Sequence, residues 1–148
     1  MSLVVRRFIE ADAVAMGQLL SVMGYPAADG ATMLRRLCQL ESGAPFAIFV
    51  AEQDGVVIGW VHVGRVFQSA SEGYAEVFLL AVDEAHQGLG IGRQLLEHAE
   101  QWVRESFGTL RIRLGSGVHR SEAHGFYQHL GYEKRPSFVF QKQLQAIG

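Results

Sequence analysis

The chain has 148 residues, of which 49% are hydrophobic and 19% charged. That length suits one domain, and that composition excludes global disorder. The 13 basic and 15 acidic residues leave a net charge of -2, which excludes a protein that grips nucleic acid through an overall basic field. The single cysteine, Cys38, cannot close an intramolecular disulfide. It lies in an apolar helical pattern with Leu34 and Leu37 and reads as a small buried hydrophobe. Arg6, Arg7, Glu10 and Asp12 interrupt any signal-peptide core. The longest apolar runs, 46–51 and 77–82, are strand-sized and far short of a membrane helix. The expectation is a soluble, cytoplasmic protein with no membrane partner.

Residues 3–9 are rich in β-branched and aromatic types and predict a first strand. Asp12 is placed to cap a helix carrying Met16, Leu19, Leu20 and Met23, which stops at Gly24-Tyr25-Pro26. A second helix is predicted over 29–41, with Met33, Leu34, Leu37 and Leu40 along one side. Strands follow at 46–52, 56–67 and Tyr74–Val82. The first two are joined through Asp54-Gly55, a strong hairpin signal. A helix over 90–107 carries the stripe Ile91, Leu95, Leu96, Ala99, Trp102, Val103 and Phe107. A short strand at 110–114, a helix at 121–130 stopped by Gly131, and a last strand at 137–144 complete the chain. The order β-α-α-β-β-β-α-β-α-β predicts a single α+β (mixed α/β) domain over 1–148 around one central mixed sheet.

The most informative stretch runs from Val82 to Arg93, where a strand enters a loop with three alternate glycines and leaves it in an amphipathic helix. A helix start has unpaired N–H groups and the positive end of the helix dipole. Glycines let that backbone approach an anion closely, so the expected ligand is a phosphate or pyrophosphate. A nucleotide P-loop fails because Gly92 is followed by Arg93-Gln94 rather than Lys-Ser/Thr. A dinucleotide fingerprint fails because Arg93 stands where its third glycine belongs. Gln87-x-x-Gly90-x-Gly92 instead resembles the acetyl-CoA pyrophosphate motif of the GNAT superfamily of N-acetyltransferases. Ala123-x-x-Phe126-Tyr127-x-x-x-Gly131-Tyr132 resembles a second segment of that family, about 30 residues further on.

The resemblance implies an acetyl-CoA-dependent N-acetyltransferase of the GNAT fold. The N–H groups of Gly88, Leu89, Gly90, Ile91, Gly92 and Arg93, with Gln87, would hold the pyrophosphate. The strand edge at Ala81 and Val82 would pair with the pantetheine amides, as an added strand does. The Leu80 N–H, beside a strand bulge, would polarise the thioester carbonyl. Glu76, in the register where several branches of the family place their base, would deprotonate the amine, directly or through water. Its neighbours Val77 to Leu80 are apolar. Glu72 is the rival base. Tyr127 would protonate the departing thiolate, with Phe126 beside it. Many relatives carry Asn after the fifth strand. Here the stretch is Ser116-Gly117-Val118-His119, leaving Ser116 or Ser121 as substitutes.

No metal is expected, because His119, His124 and His129 are spaced five apart and cannot share a helical face. Trp60 and Trp102 read as core. The resemblance implies that the two early helices shape the acceptor side, which would then carry Tyr25, Asp29 and Glu41, with His62 on the neighbouring strand. The expected acceptor is a primary amine of a small molecule. A protein lysine or N-terminal acceptor, and a non-enzymatic acyl-CoA-binding module, are the alternatives. A homodimer is a family-level expectation.

Overall fold

The computed structural model describes residues 2–108, 110–116 and 120–147. Its contacts divide into two compact units, Met1–Gly115 and Ser116–Gly148. The first carries the sheet. Strands β1 (Leu3–Arg7), β2 (Phe46–Gln53), β3 (Val56–Val66), β4 (Tyr74–Val82) and β5 (Ile112–Leu114) lie side by side in that order. Neighbours from β1 to β4 are antiparallel, and β5 joins β4 in parallel. The mixed α/β class with one mixed sheet is as the sequence predicts. Asp54 and Gly55 turn the β2–β3 hairpin with φ of 51° and 80°, the left-handed pair that matches strand twist.

Helices cover both faces. On one, α1 (Ala13–Leu19) and α2 (Gly30–Leu40) bring Met16, Leu19, Met33 and Leu37 against Ile48, Val50, Trp60, Leu79 and Ala81. The Trp60 indole N–H donates to the Met16 carbonyl at 3.2 Å, which satisfies its one polar atom inside the core. On the other face, α3 (Ile91–Phe107) buries Ile91, Leu95, Leu96, Ala99 and Val103 at helical spacing. Burying each large aliphatic side chain contributes about 1.5–3 kcal/mol. Gly59 lets α3 come close. A Cβ there would stand 3.0 Å from the Ala81 carbonyl oxygen and 3.3 Å from Leu95 Cδ1.

Several expectations need correction. Asp12 does not cap α1 with its side chain. Its buried carboxylate instead accepts both Arg6 terminal nitrogens, at 2.9 and 3.0 Å, and the Ile9 N–H at 2.8 Å. This ties β1 to the turn before α1. Cys38 is exposed, because the buried line of α2 runs through Met33 and Leu37 and Cys38 sits about 100° round from Leu37. Leu34 is turned outward for the same reason. Trp102 is half-buried rather than core.

In the second unit, α4 (Ser121–His129) ends through Gly131 at φ 95°, and the Tyr132 N–H returns to the Tyr127 carbonyl at 3.0 Å. The strand predicted at 137–144 does not form. Residues 132–147 carry no helix or strand, and Phe138, Val139 and Phe140 are exposed. A strand needs a neighbour to take its N–H and C=O groups, and the described residues of this unit include none.

Two predictions follow from the packing. A Cβ on buried Gly17 would run into the Ala28 carbonyl and stand 2.9 Å from Met33 Cγ. Gly17→Ala is therefore expected to cost about 1–3 kcal/mol, read as a lower urea midpoint at unchanged m-value. Burial opposes ionisation of Asp12, but the Arg6 guanidinium and the Ile9 amide more than offset it, so the carboxyl titrates below its ordinary 3.8. With the folded value under the unfolded one, its stabilisation is full above the unfolded value and is lost as pH falls through the folded one. Asp12→Asn is expected to be less stable at about pH 7 and to lose less stability than the parent chain on acidification to about pH 2.

Candidate active site

The site is built on β4. Its register against β3 slips once: His62 pairs with Leu79, but Val63 pairs with Val77. Phe78 is thus an extra residue, a bulge in β4. The slip reverses the strand's alternation. Before it, the Ala75 N–H donates to the Arg111 carbonyl on the β5 side at 2.8 Å. After it, the Asp83 N–H donates to the Ile58 carbonyl on the β3 side at 2.8 Å. By alternation Leu79 and Ala81 turn their N–H and C=O groups to β3, while Leu80 and Val82 turn theirs away from it. β5 ends at Leu114, opposite Val77. From Phe78 to Val82 the outer edge of β4 therefore has no strand beside it among the described residues. The Leu80 N–H points into that open edge, and in a strand that ran on through Phe78 without a bulge it would face β3.

Val82 turns its backbone groups to the edge. Ala81 does not: its backbone is turned to β3 and its methyl lies in the core. The Val82 carbonyl accepts from the Gln87 side-chain amide at 3.0 Å, so Gln87 clasps its own turn. A second clasp pairs His86 Nδ1 with Asp83 Oδ2 at 2.7 Å. The Asp83–His86 spacing of i, i+3 is legible in the sequence, although it drew no prediction.

Gly88 and Gly90 adopt φ of 82° and 84°, where a side chain is strained. A Cβ at either would meet nothing within 4 Å, so the space above the turn is open. Gly90 is the N-cap of α3 and no side chain caps the helix. The first-turn N–H groups of Ile91, Gly92 and Arg93 have no carbonyl one turn back to bond. The Ile91 side chain is buried and anchors the helix, while Leu89 is exposed. The Arg93 Nε bonds Glu97 Oε1 at 2.9 Å, with both side chains exposed.

Glu76 pairs with Gly64 on β3 and with Arg113 on β5. Its face of the sheet is the one that also carries Phe46, His62 and Phe78. The Phe78 ring leans over Gly64, where a Cβ would lie 2.8 Å from Phe78 Cε2. The His62 ring lies 4.8 Å from Phe78 and 5.9 Å from Phe46. Burial pushes His62 down to about 4. Glu72, the rival base, is in an exposed loop, and its backbone carbonyl accepts from Arg65. The early acidic residues are not brought together. The Asp29 carboxylate accepts the Thr32 N–H at 2.8 Å as the cap of α2. Glu41 lies at the other end of that helix, about 18 Å away at 1.5 Å per residue.

In the second unit, Tyr127 is half-buried and its ring packs on Phe126 and Tyr132, at 5.3 and 6.1 Å between centroids. Burial holds its hydroxyl above the ordinary value, with Arg120 acting in the opposite sense. The Ser116 hydroxyl is buried with no hydrogen-bond partner among the described residues. Ser121 opens α4 and is exposed. Gly117, Val118 and His119 lie outside the described residues. Among the described residues no group of three His, Cys, Asp or Glu is placed to hold a metal. An open cleft of about 460 Å³ lined by Arg7, Glu41, Phe46 and Trp102 lies where α3 ends. The length of that helix, about 24 Å, separates it from the glycine-rich turn.

Residues 16–132 match the Acetyltransferase (GNAT) family. The chain belongs to that family. This GNAT chain is 29% identical over 143 residues to an aminoglycoside N(6')-acetyltransferase type 1 from Stenotrophomonas maltophilia, covering 92% of this chain and 90% of the relative. Its fold is shared with a transcriptional regulator from Bacillus halodurans C-125, at a TM-score of 0.83 and 20% identity, covering 96% of this chain and 100% of the other. It is shared as well with AAC(6')-Iy in complex with the bisubstrate analog CoA-S-monomethyl-acetylneamine, at 0.80 and 17%, covering 97% and 99%. The GNAT chain is an acyltransferase by family. Among its described residues no helix is long and apolar enough to cross a membrane.

The glycine-rich turn of this GNAT chain yields one prediction. Gly90→Val forces a β-branched residue to φ 84°. The expected loss is about 1–2 kcal/mol in urea unfolding.

Proposed function

We propose that this GNAT protein moves an acetyl group from acetyl-CoA to a primary amine of a small cationic molecule, of which an aminoglycoside is the type. The observation that carries this reading is the open edge of β4 beyond the Phe78 bulge, running into the uncapped start of α3. Extended polar chains pair with such an edge, and anions sit at such a helix start. The net charge of -2 does not oppose this, because backbone N–H groups suffice.

The residues fit the donor. The N–H groups from Gly88 to Arg93 would hold the pyrophosphate, and the open space at Gly88 and Gly90 admits it. The Leu80 and Val82 backbone groups, turned outward, would take the pantetheine amides and the thioester carbonyl. Bound acetyl-CoA supplies the activated acyl group. Glu76 takes the proton from the ammonium of the acceptor, so that its nitrogen lone pair is free to attack. The Leu80 N–H donates to the carbonyl oxygen as charge builds there. Tyr127, which burial keeps protonated, gives its proton to the departing thiolate. The buried, unpartnered Ser116 hydroxyl takes the contact that Asn makes in many relatives. The aminoglycoside class rests on the Stenotrophomonas maltophilia relative.

The test is thiol release from acetyl-CoA across a panel of aminoglycosides, simple amines and peptides. Aminoglycosides are expected to be the best acceptors. Glu76→Gln is expected to lower kcat by about 10²–10⁴-fold, and Tyr127→Phe by about 10-fold or more, with the acetyl-CoA KM of each nearly unchanged. Preference for peptides would move the assignment to a protein acetyltransferase. Binding of CoA without turnover on any acceptor would leave an acyl-CoA-binding module.

A further inference from the structure

We propose that His62 recognises the acceptor: its imidazole accepts a hydrogen bond from an amine or hydroxyl of a ring-borne amine whose apolar face lies on the Phe78 ring. This rests on the acetyl-transfer reading above and names which residues of this chain select the substrate.

The placement comes from the sheet register. His62 pairs with Leu79, and Gly64 pairs with Glu76. His62 and Gly64 are two residues apart on β3 and so share one face. Glu76 is thereby a diagonal neighbour of His62, a separation that long side chains bridge. Gly64 contributes no side chain, and the Phe78 ring occupies the space above it. Imidazole, ring and carboxylate thus share one stretch of sheet, beside the bulge that turns the Leu80 N–H outward. Phe78 is 46% exposed, which makes it a flat apolar platform of the kind a sugar ring stacks on.

His62 itself is held by rings rather than by polar partners. Phe46 meets it edge-on and Phe78 at a tilt. Its nitrogens take no hydrogen bond among the described residues. A half-buried imidazole without a partner retains one acceptor and one donor for a ligand. Its low pKa, about 4, keeps it uncharged at working pH. An uncharged imidazole does not repel an ammonium group, whereas Lys or Arg at this position would. Glu76 remains the proton acceptor, and His62 acts by positioning the amine.

Kanamycin is the probe. In the absence of acetyl-CoA, the ring signals of His62 in the full chain are expected to shift on titration with kanamycin. In steady state, His62→Ala is expected to raise the kanamycin KM by about 10-fold or more with the acetyl-CoA KM within about twofold. His62→Gln, which retains an acceptor and donors, is expected to recover most of that loss. His62→Phe, which preserves the stack and removes the nitrogens, is expected to behave like His62→Ala. Wild-type KM in His62→Phe overturns the proposal, as does an unshifted His62 signal. Equal rises in the KM of both substrates also overturn it, since they mark a structural role. If the wild-type chain acetylates no amine, the transfer reading fails, and the titration still reports on His62 independently.

Discussion

At Phe78, β4 carries two residues where β3 carries one, and the strand's alternation reverses there. Everything downstream depends on that reversal. It points the Leu80 and Val82 amides outward and coincides with the end of β5, so that an edge opens in the middle of a sheet. Phe78 lies on the face that carries His62 and Glu76. A regular β4 would place the same residues in the same order and lack the outward Leu80 N–H. The cost is one unpaired residue in a ladder. The rest of β4 is secured by β3 along its length and by α3 beneath it.

The glycine-rich turn completes the site without basic side chains. Two left-handed glycines leave open space above an uncapped helix start. Two side-chain clasps, Gln87 on Val82 and His86 on Asp83, fix the turn before any ligand arrives. Preorganisation of this kind lowers the ordering cost of binding. Arg93 is paired with Glu97 at the surface, so attraction for the proposed anion would fall to backbone dipoles. A chain of net charge -2 is compatible with such a site.

The sequence is most legible where local chemistry and tertiary structure agree. Asp54-Gly55, the stripe of α3 and the apolar run of β4 each signal their element, and each forms with bounds within a residue or so of expectation. The resemblance implies a bulge beside Leu80, but which residue is extra is not legible, because Val77-Phe78-Leu79-Leu80 is uniformly apolar and any of the four could be it. Its position depends on Gly64 leaving room for a ring, a relation across strands. The same blindness explains Asp12, a good cap by type that Arg6 claims instead. It explains Cys38, where apolar neighbours did not fix which side of α2 faces inward. It explains residues 137–144, whose β-branched and aromatic content speaks for a strand while pairing decides whether one forms. In the site, the motifs marked the turn and Glu76 together. They gave no sign that Ala81 is turned to β3 or that Gln87 is engaged with Val82.

The open edge of β4 has a consequence for solubility. An apolar run of five residues in which alternate backbone groups, those of Leu80 and Val82, face outward is the kind of segment on which foreign strands assemble. Here the exposure is bounded at both ends. The bulge twists the strand at Phe78, and the Gln87 amide occupies the Val82 carbonyl, so an incoming strand would find a ladder too short and too irregular to extend. The geometry proposed to admit an extended substrate therefore also discourages a second polypeptide from adding to the sheet.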